Sequence, residues 1–599
     1  MRRRLLFWIV PLVAAAQAAR GQIELPHETF AFDRDRPALG HWVGQIVPAG
    51  HTPVFAAVLI ELNDEGEWTA AVTFLPARAL ASPGRDVRIE GGSVAFRLPT
   101  RGGVLGFSGE ISADGQRMDG AVETMSREDA QPDPAALALR RVPRPVDLPR
   151  FEAFKGDLEF AGAGKLAMAI VLARTPGGNW VGHMDVPAQM LRGFPLVNIT
   201  QVGDTITATL PVIDYPATIE VSLADGGRRL TGRFRQAGFD VAIDFGRDHG
   251  YVDGRLNRPQ QPRPPYPYSA RELRIEQSDG YVLAATLVLP AGKGPFPAAV
   301  LITGSGQQDR DETIFGHKPF LVIADYLARH GIAVLRYDDR GVGESTGADT
   351  LADATSEGFA ADTATVVGHL RSIQEIDPDL IGLIGHSEGG MIAPMVAVRD
   401  RRIAFIVMLA GTAVPGREVM ILQNRLLHRA AGANDATLDR IEQRQREAID
   451  LLIAGAEPSR VKQAIRALIE VQRTASSQQP LPEGLDAAVD LVYKQSASPW
   501  MRFFLTYDPR PTLGKLRCPV LAVNGTRDLQ VWHDQNLPEI QSVITAAGGD
   551  VTIKRYQGLN HLFQPAQTGL VAEYATIETT FDEAVLSDIV EWITSRIKK

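Results

Sequence analysis

A single offset of 112 residues constrains the N-terminal half of this chain more than any local motif. It relates Gly44 to Gly156, Trp68 to Trp180, Gly91 to Gly203, Leu98-Pro99 to Leu210-Pro211, Gly115 to Gly227 and Gly120 to Gly232. One offset held without a gap over such a span implies two copies of one structural plan. Short alternating segments bounded by Gly and Asp-Gly turns fill the copies, among them FAAVLIEL (55–62), WTAAVTFL (68–75), TITATLPV (205–212) and ATIEVSL (217–223). Alternation with period two is the pattern of half-buried strands. The expected architecture is two tandem all-β domains, residues 23–145 and 150–252, each a small barrel or sandwich. A β-propeller would need at least four repeats of about 40–50 residues, which this spacing excludes. The repeated Trp and Gly positions read as packing and turn positions rather than ligand contacts.

A proline-rich stretch, NRPQQPRPPYPY (257–268), marks a semi-rigid linker over 253–269. Beyond it the grammar changes. A hairpin turning at Ser278-Asp279-Gly280 is followed by strands that alternate with helices: PAAVLITG, FLVIADYLARHG, IAVLRYDD, FAADTATVVGHLRSI, LIGLIGHS, GGMIAPMVAV and IAFIVMLAG. The strands are continuous apolar runs, as a parallel sheet covered on both faces requires. Over 412–513 the alternation gives way to helical patterns such as VMILQNRLLHRAAG before PVLAVNG (519–525) resumes the sheet. An all-helical insertion at that point reads as a lid. Residues 270–599 are thus the expected α/β domain.

The chain opens with MRRRLLFWIVPLVAAAQAARGQ, in which three arginines precede a twelve-residue apolar stretch and the small-x-small site Ala16-Gln17-Ala18. That is the form of a signal peptide over residues 1–18. A retained anchor would need about twenty apolar residues. Cleavage would take the net charge from −9 to −12 by removing three arginines, and no basic run or nucleic-acid motif offsets it. A polyanionic partner is therefore excluded as an expectation. Cys518 is the single cysteine, so no intramolecular disulfide can form. The expected location is the periplasm or the medium of a bacterium, with no integral membrane anchor after signal cleavage.

IGLIGHSEGG (381–390) places Ser387 between an apolar strand and a helix beginning near Gly389. A nucleophilic serine needs a general base, an orienting carboxylate and donors for a tetrahedral oxyanion. The strand–turn–helix context of G-H-S-E-G is that of a nucleophile elbow, where side chains at Gly385 and Gly389 would collide across the turn. Asp528 follows the strand 519–525 in LAVNGTRDLQV, and His561 follows the strand 551–556 in VTIKRYQGLNHLF. The order Ser387, Asp528, His561 lets all three meet at the carboxyl ends of strands. One oxyanion donor is expected from the backbone N–H of Glu388. The second is expected from the loop TGSGQQDRDE (303–312), with Ser305 first and Gly306 or Gln307 as alternatives. Asp534 competes for the acid role but lies within the next segment, and His533 could replace His561 only by breaking strand order. His386 reads as a packed neighbour of the elbow. Asp338, Asp339, Arg340 and the run Asp309-Arg310-Asp311-Glu312 read as loop braces. The aromatic segment SPWMRFFLTYDP (498–509) is placed to line an acyl or aryl pocket or to pack the lid on the core.

Residues 270–599 resemble the α/β-hydrolase superfamily, and within it exported bacterial hydrolases of carboxylesterase-like or serine-aminopeptidase-like type. The resemblance rests on ITGSGQQDRDE (302–312), FGHKPFLVIADYL (315–327), RYDDRGVGESTG (336–347), GHSEGG (385–390), GTRD (525–528) and GLNHLF (558–563). It implies ester hydrolysis by a Ser/His/Asp triad without a cofactor. Where lipase-type members carry a His-Gly-Gly-Gly run, this chain has Thr303-Gly304-Ser305-Gly306. The expectation is an exported serine hydrolase acting on a small-molecule ester. An exopeptidase or amidase with the same triad is the alternative, and an envelope- or carbohydrate-binding protein with a vestigial hydrolase domain is a third reading. No cofactor and no metal site is expected, since neither ligand spacing nor a Walker loop occurs.

Overall fold

A computed structural model of the chain describes residues 25 and 28–597, apart from 48–53, 63–65, 75–78, 101–102, 125–133, 161–163, 187–190, 212–216, 237–238, 252–257 and 476–484. The expected signal segment 1–18 and the start of the expected linker therefore lie outside the described residues. The chain divides into two compact units, one ending at Leu256 and the other holding Asn257–Lys599.

The first unit is all-β. Strands between Gly40 and Arg141 form a nine-stranded antiparallel sheet, and those from Phe151 to Arg247 close into an eight-stranded barrel. The repeat now has a physical basis. A Cβ on Gly120 would stand 1.9 Å from Ser108 O, and one on its counterpart Gly232 would stand 2.0 Å from Glu220 O. At both places a neighbouring strand crosses where only glycine leaves room. Gly91 and Gly203 share φ of 59°, the left-handed turn that closes equivalent hairpins. The copies differ at their middle: strands Ala79–Pro83 and Arg85–Glu90 stand where the barrel has the single long strand Leu191–Val202. Successive side chains of a strand point to opposite faces. Trp42 accordingly joins the core of the first sheet, while Val43, Phe55 and Ala57 pack with Phe154, Ile170, Phe194 and Phe245 of the barrel.

The second unit is an α/β-hydrolase fold. Its eight-stranded sheet runs, in spatial order, Ser269–Glu276, Val282–Leu289, Ala333–Tyr337, Phe296–Ile302, Ile376–His386, Ile406–Leu409, Val520–Gly525 and Val551–Tyr556. The first three pair antiparallel and the rest are parallel. Crossover helices cover both faces. Helix α1 (Pro319–Arg329) and the C-terminal Glu583–Ile597 bury apolar stripes on one face, α2 (Ser356–Arg371) and α3 (Glu388–Ala397) on the other. Between Ile406–Leu409 and Val520–Gly525 the described elements are all helical, from Gly416 to Leu513. Cys518 beside the last of these is half-buried, and burial pushes its thiol up to about 11, where it is a poor nucleophile. Among the described residues no helix is long and apolar enough to cross a membrane.

Candidate active site

Strand Ile376–His386 delivers Ser387 directly onto the N-terminus of α3, with φ 56° and ψ −115°. A non-glycine residue there stores about 1–3 kcal/mol of backbone strain. The surroundings hold it in place. Ser387 N–H donates to Leu409 O at 2.8 Å. A Cβ on Gly385 would stand 2.0 Å from Gly389 O, and one on Gly389 would stand 2.1 Å from Ile302 O. The spacing G-x-S-x-G is thus a steric requirement of the turn, and it leaves Ser387 3% exposed.

Asp528 follows strand Val520–Gly525 and is wholly buried. Its Oδ1 accepts the N–H groups of Gln530 (2.8 Å) and Val531 (2.9 Å), and its Oδ2 stands 2.8 Å from His561 Nδ1. A carboxylate accepts, so Nδ1 carries the proton and Nε2 carries the lone pair. Nε2 of His561 is buried with no partner among the described residues. It faces a cavity that Ser387 also lines. The hydrogen bond between Ser387 Oγ and Nε2 is not made here; such bonds often tighten only when substrate is bound.

The expected oxyanion donors flank this cavity rather than line it. Glu388 is the first residue of α3, so its N–H has no intrahelical acceptor. Ser305 is buried beside Gly304, whose own N–H is taken by Glu312 Oε1 at 2.7 Å. A Cβ on Gly304 would lie 3.2 Å from Ser387 Cβ, so this loop runs against the elbow. Gln308, Ile314, Phe315, Leu562 and Val571 complete a cavity of only about 30 Å³.

Glu312 and His386 carry more than their sequence context announced. His386 Nδ1 donates to Glu312 Oε1 and Nε2 donates to the backbone O of His561, both at 2.9 Å. Acceptors at both nitrogens favour the doubly protonated ring. Burial pulls its pKa down, but the Glu312 carboxylate outweighs burial and raises it. One buried pair therefore ties the oxyanion loop, the elbow and the histidine loop together. Trp500 of helix α4 (Pro499–Thr506) was legible only as part of an aromatic segment. Its Nε1 donates to Glu388 Oε1 at 2.8 Å, and Ser356 Oγ donates to the same oxygen at 2.6 Å.

The remaining polar candidates are braces. Arg310 donates to Asp338 with its backbone N–H, Nε and Nη2, and Asp339 accepts from Thr303 Oγ1 and Gln308 N. Arg340 pairs with Asp362. Asp534 is 54% exposed and pairs with Arg555 at 3.1 Å, away from the cavity.

Residues 279–541 match the family described as X-Pro dipeptidyl-peptidase (S15 family). The chain is also similar to Esterase EstD of Thermotoga maritima, with 28% identity over 315 residues. That alignment covers 52% of this chain and spans 65% of the length of the relative. Similar solved structures include an esterase of Pyrococcus furiosus (15% identity, 55% of this chain and 91% of that one, TM-score 0.35). Est1E from Butyrivibrio proteoclasticus is another (15% identity, 55% and 99%, TM-score 0.30). The matched span 279–541 lies within the α/β-hydrolase fold of the second unit. What the chain resembles in both comparisons is a hydrolase, an X-Pro dipeptidyl-peptidase in one and an esterase in the other.

Proposed function

We propose that the protein is an exported serine hydrolase that cleaves short-chain carboxylic esters with Ser387 as nucleophile, His561 as base and Asp528 as the orienting acid. The carrying observation is His561, whose Nδ1–H is held by Asp528 while its unpartnered Nε2 faces the cavity lined by Ser387. In this reading His561 Nε2 takes the Ser387 proton as Oγ attacks the acyl carbonyl. Asp528 stabilises the resulting imidazolium, and the N–H groups of Glu388 and Ser305 receive the oxyanion. The imidazolium protonates the leaving alcohol. Water then attacks the acyl-enzyme with His561 again as base, returning the acid and free Ser387. No cofactor enters this sequence.

Two features favour esters over peptides. An aminopeptidase needs a carboxylate free to meet the substrate ammonium. Both acids closest to Ser387 are engaged: Glu388 by Ser356 and Trp500, Glu312 by Gly304 and His386. The cavity of about 30 Å³ is near the size of one water, which favours a small acyl group. Export rests on the arginine-led apolar segment and Ala16-Gln17-Ala18.

Turnover of p-nitrophenyl esters from acetate to laurate, beside aminoacyl p-nitroanilides, tests the assignment. Ester turnover with an optimum at the shortest chains, abolished in Ser387→Ala, is the expected result. Anilide turnover would move the assignment to the peptidase reading suggested by the S15 match. Failure of both substrates and of fluorophosphonate labelling at Ser387 would refute the triad.

A further inference from the structure

A wide cavity opens in the β-unit, where strands of the first sheet meet the barrel. It measures about 450 Å³, inside the usual range for small-molecule sites and far above the catalytic cavity. Its lining mixes apolar side chains such as Val43, Val142 and Leu196 with His41, His183 and Trp180.

We propose that this cavity binds an uncharged carbohydrate, with His41 Nδ1 accepting a sugar hydroxyl and the indole of Trp180 covering an apolar face of the ring. His41 is buried, and its Nδ1 has no hydrogen-bond partner among the described residues. The bond to Val142 joins the main chains, Val142 N–H donating to His41 O at 2.9 Å, so it leaves Nδ1 open, a lone pair seeking a donor in the tautomer protonated at Nε2. A buried acceptor without a donor is costly unless something fills it.

The charges along the wall select a neutral ligand. Arg144 is spent on Asp147 at 2.9 Å and Glu61 at 3.3 Å. Glu28 accepts from Thr175 Oγ1, Asn179 Nδ2 and Gly177 N. Among the described lining residues, no uncommitted Arg or Lys remains for an anionic ligand and no unsatisfied carboxylate for a cationic one. Trp180 is held ready: Arg174 stands 4.3 Å from its ring centre and Gln201 Oε1 accepts its Nε1–H at 3.1 Å. Aromatic faces suit sugar rings because each sugar has an apolar face and a rim of hydroxyls.

The repeat argues that this chemistry is not needed for folding. Shifted by the 112-residue offset, His41 falls on Ala153 (41 + 112) and His183 on Ala71 (183 − 112). Each equivalent strand position folds with a methyl group. The wall also contains a strand irregularity: the register of Leu191–Val202 against Thr205–Leu210 slips between Val197 and Thr200, with Asn198 at φ 53°. Bulges of this kind re-aim side chains beside sites.

The full-length protein would be titrated with N-acetylglucosamine, cellobiose and maltose, followed by tryptophan fluorescence and by saturation-transfer NMR. Saturable binding of at least one of them is expected. His41→Phe and Trp180→Leu should each weaken it by about tenfold, the loss of one good contact. Unchanged p-nitrophenyl acetate turnover and melting would show that both variants are folded. If His41→Phe melts early, the half-buried Trp180→Leu still decides the matter. Absence of saturation by all three sugars overturns the proposal. So does binding untouched by both substitutions, or a response to 1-octanol or glucuronate alone. The readout is independent of catalysis, so it stands or falls apart from the esterase assignment.

Discussion

His41 in the β-unit and His386 in the catalytic unit are both buried, yet their pKa values move in opposite directions. Burial pushes each toward the neutral form. For His41 nothing reverses it: Arg144 and His183 add repulsion, and its pKa falls to about 3. For His386 the Glu312 carboxylate, at 2.9 Å, and the His561 carbonyl overcome burial and raise the pKa. Depth therefore does not decide protonation; the partner does. The same contrast separates the two cavities. In the catalytic unit a small cavity is lined by the engaged pair Glu312 and His386 and by His561, whose Nε2 has no partner among the described residues. In the β-unit a wide cavity keeps a neutral acceptor open.

The largest effect that could break this contrast is chemical. Ser387→Ala should lower ester kcat/KM by about 10⁴-fold or more while leaving sugar binding unchanged. Asp528→Asn should cost about 10³–10⁴-fold, because an amide NH₂ in place of a carboxylate favours the wrong tautomer of His561. A loss confined to KM would refute the orienting role.

Next comes Glu312→Gln. It removes the charge that holds His386 as an imidazolium, and kcat should fall about 10–100-fold with KM little changed. The linkage has a definite sign. The folded pKa of His386 is raised, so its stabilising contribution is complete below the ordinary histidine value and is lost as pH rises through the raised one. Melting of the catalytic unit should therefore weaken on the alkaline side, and Glu312→Gln should flatten that slope. An unchanged slope would show that His386 is neutral.

His41 predicts the reverse. Its folded pKa is depressed from 6.5 to about 3, so its contribution is present above 6.5 and is lost as pH falls toward 3. The β-unit should lose several degrees of melting temperature across that window, and His41→Phe should remove most of the loss. Calorimetry of the full chain, resolved into its transitions, checks both slopes together.

The smallest expected effect is at the lid. Trp500→Phe deletes the bond to Glu388 and should change kcat/KM on p-nitrophenyl acetate by about fivefold, the worth of one hydrogen bond. It should also broaden the acyl-chain range. An unchanged chain-length profile would remove α4 from the acyl pocket.

The strand grammar of both units was readable because it is local. Continuous apolar runs alternating with amphipathic helices admit few sheets, and Gly385 and Gly389 are dictated by collisions within one turn. The 112-residue offset likewise reported strand crossings that tolerate no Cβ, as at Gly120 and Gly232. Glu312 was visible only as one charge in a run, since its partner His386 lies 74 residues away. Nothing near Trp500 announced Glu388, and nothing near His41 announced a cavity.

By itself the sequence determined the periodicities, and with them the order of strands, the elbow and the ends of strands where Asp528 and His561 stand. These follow from sterics and from the burial of apolar residues, which act over a few positions at a time. Only the tertiary structure decided which buried groups are charged, which oxygen Trp500 meets and where space is left over. Those outcomes depend on desolvation and Coulomb terms between residues far apart in the chain. For His41 burial sets the sign and Arg144 adds to it, whereas for His386 Glu312, the His561 carbonyl and Asp528 together reverse it.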